Sequence, residues 1–180
     1  WGIGRMVEPS DLMGYISAIL GHKSDLAGLT IVVSAGGTIE PIDPVRVITN
    51  RSSGKQGYAI AEAARDRGAS VKLVTTPTAI SNPASIEIIQ IETVDQMRKA
   101  VLRECKEADV LIMAAAVSDF RPSQVSKHKL KKTSSNKLSL ALIQNSDFLL
   151  EVPKNVIKIG FAAESMDLVK NARKKLLDKN

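Results

Sequence analysis

Aromatic side chains make up only 3% of this 180-residue chain, so stacked platforms for nucleic-acid bases have little to be built from. Cysteine occurs once, at Cys105, which excludes an internal disulfide and leaves a structural zinc site unsupported. Cys105 lies in the helical pattern of residues 94–108, where a buried, inert thiol is the expected state rather than a nucleophile. No apolar run reaches the roughly 18 residues that a membrane span needs, and no basic-then-apolar leader opens the chain. The expectation is a soluble, cytoplasmic protein without a membrane partner. At 44% hydrophobic and 24% charged content, the composition supports one domain with a substantial core.

Short Val- and Ile-rich runs alternate with helical patterns. Strands are expected at Leu29–Val33, Ser70–Thr75, Ile86–Ile91, Asp109–Ala115 and Val156–Phe161, with helices near 58–67, 93–107 and 167–179. Runs that are apolar throughout predict a parallel sheet covered on both faces, an open α/β fold. Before it, Asp11–Leu20 is expected as a short helix with Leu12, Tyr15, Ile16 and Leu20 inward, then a linker at His22–Asp25 and a compact domain from about Leu26.

Such sheets bind ligands beyond the carboxyl ends of their strands. Three small-residue loops fall there: Ser34-Ala35-Gly36-Gly37-Thr38, Ala114-Ala115-Ala116-Val117-Ser118-Asp119 and Gly160-Phe161-Ala162-Ala163-Glu164. The segment Asp43 to Gly57, with Ser52, Ser53, Gly54 and Lys55 opening a helix, offers free backbone N–H groups and a helix dipole to an anion, and phosphate is the expected guest. The glycines at 36 and 37 are adjacent and do not lead straight into a helix, which argues against a nicotinamide fingerprint. Gly54-Lys55 is followed by Gln56, so no Walker loop is present.

Between Arg121 and Asn145 stand Arg121, Lys127, Lys129, Lys131, Lys132 and Lys137 with no acid, equal in number to the whole net charge of +6. The plain reading is a solvated hairpin with arms Lys129–Lys132 and Lys137–Leu142 around Thr133–Asn136. The functional reading is a basic flap that closes over a polyphosphate. A third is a non-catalytic nucleotide- or nucleic-acid-binding module, against which the scarcity of aromatics counts.

Taken in order, the motifs at 34–38, 43–57, 115–120, 129–132 and 160–164 closely resemble the phosphopantothenate–cysteine ligase half of the bifunctional bacterial coenzyme A biosynthesis proteins, over about residues 26–180. The resemblance implies a Rossmann-like, mostly parallel sheet with helices on both faces and a small basic hairpin flap. It implies residues 1–25 as the tail of a preceding flavin-dependent decarboxylase domain plus linker, so FMN would belong only to that absent half. It also implies a C-terminal truncation, since the family carries a further strand after the last helix. The implied reaction joins 4′-phosphopantothenate and L-cysteine using CTP, with Mg2+ accompanying the triphosphate and no protein metal ligand. An acyl-cytidylate forms with loss of pyrophosphate, and CMP leaves when the amide is made.

Residue by residue, the resemblance assigns Asn50 to the acyl group and Lys129 to neutralising the triphosphate, both catalytic. Arg46 would reach the pantothenate part from a neighbouring subunit, making a homodimer through Asp43–Gly57, while Ala115 and Ala116 flank the acyl group. Nucleotide contacts would come from Gly37, Ser52, Gly54, Gly57, Met113, Ala114, Ala115, Asp119 and Lys129, from the turn Ser146-Asp147-Phe148-Leu149, and from Phe161, Lys175 and Lys179. Ser146 and Phe148 depart from the proline and aliphatic residue usual in that turn.

Overall fold

The structure, a computed structural model, describes residues 4, 6–131, 137–162 and 166–178. Strands β1 (Thr30–Ala35), β4 (Ser70–Thr75), β5 (Glu87–Gln90), β6 (Val110–Met113) and β9 (Ile157–Gly160) form one parallel sheet in the order β5-β4-β1-β6-β9. The expected α/β architecture is therefore present. From β1 the chain builds outward through β4 and β5, then returns to β1's other side with β6 and β9. The direction of winding reverses between β1 and β6, and the crevice beyond their carboxyl ends is where such sheets take ligands.

Alternate residues of β1 serve opposite cores. Ile31, Val33 and Ala35 pack with Tyr58, Ala61 and Ala64 of helix α2 (Lys55–Asp66), whereas Val32 faces Met97, Ala100 and Val101 of α3 (Val94–Glu104). Burial on both faces is what continuous apolar strands demand. Cys105 is wholly buried behind α3, and burial, reinforced by Glu104, pushes its thiol up to about 11. An inert core thiol is the result.

Helix α3 starts where a reciprocal capping box forms: the Gln96 N–H donates to the Thr93 hydroxyl while Gln96 Oε1 accepts from the Thr93 N–H. Buried Glu40 accepts a further first-turn N–H, that of Val94, at 2.9 Å. Glu40 lies on β2 (Ile39–Pro41), which pairs antiparallel with β3 (Val47–Thr49). This small ribbon was not expected from the sequence, because three-residue strands carry too little pattern. The bond from Glu40 to α3 anchors β2, and through their pairing β3.

Helix α1 (Pro9–Gly21) reverses the expected facing. Leu12, Tyr15, Ile16 and Leu20 are exposed, and Gly14 and Gly21 are the buried residues. A Cβ on Gly21 would collide with the Asp66 carbonyl oxygen, so the glycines let α1 lie directly on the end of α2. Residues 22–25 form turns closed by the Leu26 N–H on the Arg67 carbonyl and by an Arg67–Asp25 ion pair. The stretch read as a linker is thus docked on the domain.

The basic hairpin is also corrected. Lys129–Lys131 and Lys137–Ala141 belong to no strand, and residues 132–136 lie outside the described residues. The antiparallel pair is β7 (Phe120–Pro122) with β8 (Leu142–Gln144), nearer the sheet. Leu138 and Leu140, in the expected second arm, are exposed at 64% and 41%. At the far side β9 is an edge strand with Ile157 and Ile159 exposed, and helix α4 (Leu168–Asp178) follows it.

Candidate functional site

Backbone bonds join the loops that leave β1 and β6. The Ala116 N–H donates to the Gly36 carbonyl at 2.8 Å and the Thr38 N–H to the Ala116 carbonyl at 3.2 Å, continuing the parallel register past the strands. Side chains complete the junction: the Ala115 N–H donates to Ser34 Oγ at 3.1 Å, and the Ser118 N–H to Thr38 Oγ1 at 2.9 Å. Ser34, on β1, and Thr38, in the loop between β1 and β2, are both fully buried. The small residues Ala114, Ala115 and Ala116 are partly exposed at this rim.

Asn50 is drawn to the same place. Thr49 Oγ1 donates to the Thr38 carbonyl at 2.8 Å, and the Asn50 carboxamide donates to the Val117 carbonyl at 3.2 Å, with that of Ala116 at 3.5 Å. Its side chain stays exposed while its orientation is set. Four residues on, Gly54 opens α2 with Ser52 and Ser53 beside it, and Gly57 presses the first turn onto β1. A Cβ at Gly57 would stand 2.6 Å from Ala35 Cβ and 2.8 Å from the Ser34 carbonyl oxygen. The helix N-terminus is therefore held at the β1 strand end, its positive pole next to the glycine loop.

Several further assigned residues converge on this rim. Asp119 is exposed just beyond Ser118, and Asn145 ties the next segment to it through its N–H on the Asp119 carbonyl and its carboxamide on the Ser118 carbonyl, each at 2.8 Å. That bond sets down Ser146–Leu149, where Asp147 Oδ1 caps a short 3-10 turn (Phe148–Glu151) by accepting from the Leu149 N–H at 3.2 Å. The Phe148 ring is 3% exposed and belongs to the core, which leaves its backbone rather than its ring face for a ligand. Met113 ends β6 in register with Gly160, so the exposed Phe161 follows at the same edge. Lys175 is on the exposed surface of α4, a separate element, and Lys179 lies outside the described residues.

The other half of the site surrounds Asp43. This carboxylate is 2% exposed. Its Oδ1 accepts the N–H groups of Val45 at 2.8 Å and Arg46 at 2.9 Å; its Oδ2 accepts Arg46 Nη1 at 2.7 Å and the Leu130 N–H at 3.1 Å. Burial alone would raise the carboxyl, but the N–H groups of Leu130, Val45 and Arg46, with the Arg46 charge, outweigh it and hold the pKa at about 2. Arg46 Nη1 also donates to the Leu130 carbonyl at 3.0 Å, leaving 41% of its side chain exposed. Lys129, the residue before Leu130, is exposed.

Asp43, Ser34, Thr38 and Asn145 received no individual role from the sequence. Only Asp43 carried a local signal, since Asp-Pro-x-Arg is the pattern of a side chain capping its own turn. Among the described residues no three His, Cys, Asp or Glu side chains come together as a metal-ligating group, and no helix is long and apolar enough to cross a membrane.

Residues 26–180 match the family described as the DNA/pantothenate metabolism flavoprotein C-terminal domain. The coenzyme A biosynthesis bifunctional protein CoaBC of Mycobacterium tuberculosis is 42% identical over 180 residues, which cover 92% of this chain and 43% of that protein. The chain thus spans less than half the length of that relative. Among solved structures, the C-terminal domain of a coenzyme A biosynthesis bifunctional protein CoaBC superposes with a TM-score of 0.74 at 42% identity, covering 85% of this chain and 74% of that one. A Cab2 mutant in complex with phosphopantothenate-cysteine shares the fold at a TM-score of 0.71 and 17% identity, covering 95% of this chain and 74% of that chain. On this match and on the motif order read from its sequence, the chain belongs to the DNA/pantothenate metabolism flavoprotein C-terminal domain family.

Proposed function

We propose that this chain is the phosphopantothenate–cysteine ligase domain of a coenzyme A biosynthesis protein, and that it uses CTP. The observation that carries the reading is the Asn50 carboxamide held against the Ala116–Val117 main chain beside the N-terminus of α2. A neutral amide placed there can meet an acyl oxygen that becomes negative during attack, while the helix N-terminus and Gly37 loop take phosphate.

In this scheme the carboxylate of 4′-phosphopantothenate attacks the α-phosphorus of CTP and pyrophosphate departs. The cysteine amine then attacks the acyl carbon, CMP leaves, and the nitrogen gives up its proton. Lys129 neutralises the triphosphate in the first step. Asn50 serves the second. Asp119 receives the nucleotide sugar, and Ser52, Gly54 and Gly57 lie along the phosphates. Mg2+ would be held by the triphosphate and water, and would supply charge neutralisation there. The residues present fit a cation held by phosphate and water rather than by a protein cage.

A homodimer through Asp43–Gly57 completes the proposal, supported by Val45 and Val47, exposed at 62% and 47% on this segment. Arg46, on the same segment, would then reach pantothenate across the interface. The parent protein would be cytoplasmic, and any flavin-dependent decarboxylation would reside outside these residues.

Asn50→Ala tests the assignment. Single-turnover assays with CTP, phosphopantothenate and cysteine should show pyrophosphate release preserved and amide formation reduced by about 100- to 1,000-fold, the usual cost of one such donor. Amide formation at the unmutated rate would reject the role of Asn50. Absence of CTP-dependent turnover by the unmutated protein would reject the function.

A further inference from the structure

We propose that Asp43 is a positioning residue that latches the Lys129 segment to the Arg46 turn, so that the basic segment and the guanidinium offered across the subunit interface share one anchor. The catalytic consequence rests on the ligase reading above, whereas the latch does not.

Two oxygens collect four donors. Two come from the turn that Asp43 itself begins, one from the guanidinium of Arg46, and one from Leu130, 87 residues along the chain. The Leu130 peptide is gripped at both ends, since its carbonyl accepts from Arg46 Nη1 while its N–H reaches Asp43. A second tie lies close by, the Ser126 N–H on the Ile42 carbonyl at 2.9 Å. Ser126 Oγ in turn accepts the His128 N–H and donates to the His128 carbonyl at 2.6 Å, closing the bend before Lys129. Leu130 also fills one wall of a cleft of about 330 Å3 lined by Ile42, Val125 and Leu140. The peptide that precedes Leu130 belongs to Lys129, so fixing Leu130 fixes the root of that lysine.

Only an ionised aspartate satisfies this set. An amide at the same position would turn an N–H2 group toward the donors of Leu130 or Arg46, setting donor against donor in a buried site. A glutamate would carry one more methylene into a turn closed at 2.8 and 2.9 Å. Because Arg46 shares the carboxylate with Leu130, an acidic group drawn to the exposed part of the guanidinium acts on the same cluster that holds Lys129. Substrate at one side and flap at the other are thereby mechanically coupled.

The test uses Asp43→Asn in the 180-residue chain, with native-state trypsin digestion read by mass spectrometry. Cleavage after Lys127, Lys129 and Lys131 should accelerate about tenfold, as loss of a buried charged hydrogen bond predicts, while cleavage after Arg103 in α3 stays unchanged. Equal acceleration at both places, or none at the flap, overturns the latch. Should the variant fail to fold, hydrogen exchange on the unmutated protein decides: the Leu130 amide should exchange about 100-fold more slowly than an unstructured one, and free exchange overturns the proposal. In the ligase assay, kcat for pyrophosphate release should fall about tenfold with KM for cysteine unchanged. Loss of flap protection with full turnover would overturn the positioning role. If the unmutated protein shows no turnover the ligase reading fails, and digestion and exchange still judge the latch.

Discussion

The two halves of the site are closed by different forces. On the rim, Gly36, Thr38 and Ala116 exchange backbone bonds that prolong the β1–β6 register, and no charge takes part. At the latch, one buried carboxylate gathers four N–H donors from segments far apart in sequence. The rim inherits its geometry from the sheet. The latch has no sheet under it and depends on an ionisation state. In the proposed reaction, a site assembled this way would hold phosphate on the rim while the basic segment is fastened by the Asp43 carboxylate.

Breaking the rim should have the largest effect. Gly57→Val drives side-chain atoms into Ala35 and the Ser34 carbonyl, and overpacking of this kind should destabilise the fold by about 3 kcal/mol in thermal unfolding. Flap digestion should be unaffected below the melting transition. A smaller cut separates packing from hydrogen bonding: Ser34→Ala removes the acceptor of the Ala115 N–H and should cost about 1 to 2 kcal/mol in denaturant unfolding, with m unchanged. If it cost nothing, the rim would owe its shape to the backbone bonds alone.

The smallest and most selective probe is acid. Asp43 is depressed from 3.8 to about 2 in the folded protein, so its contribution is complete above about pH 4 and is lost as pH falls toward 2. An NMR titration of the Leu130 amide should report a midpoint near 2, while the Ala116 amide, bonded to a carbonyl, should not follow it. A Leu130 midpoint at the ordinary carboxylate value would show that the latch is not closed in solution.

Much of the sheet was legible beforehand because its strands are apolar without interruption. β4 falls on the expected Ser70–Thr75, and β1, β5, β6 and β9 shift by a residue or two at their ends. Helix α2 begins at Lys55, three residues ahead of the apolar pattern, since its first turn is polar and held by Gly57. The ribbons β2–β3 and β7–β8 and the facing of α1 were not legible. Three-residue strands lack periodicity, and α1 buries glycines, which no hydrophobic pattern marks. Of the site, the loops were found by their small residues and Asn50 by its motif, whereas Ser34, Thr38 and Asn145 look ordinary in sequence.

The order of motifs, the apolar strands and the concentration of positive charge between Arg121 and Lys137 are properties of the sequence by itself, because hydrophobic pattern and charge act locally along a chain. That Asn50 meets Val117, and Asp43 meets Leu130, was decided only in the tertiary structure. These contacts span 67 and 87 residues, and such pairs exist only after the sheet has set its strand order and brought the loop ends into hydrogen-bonding distance.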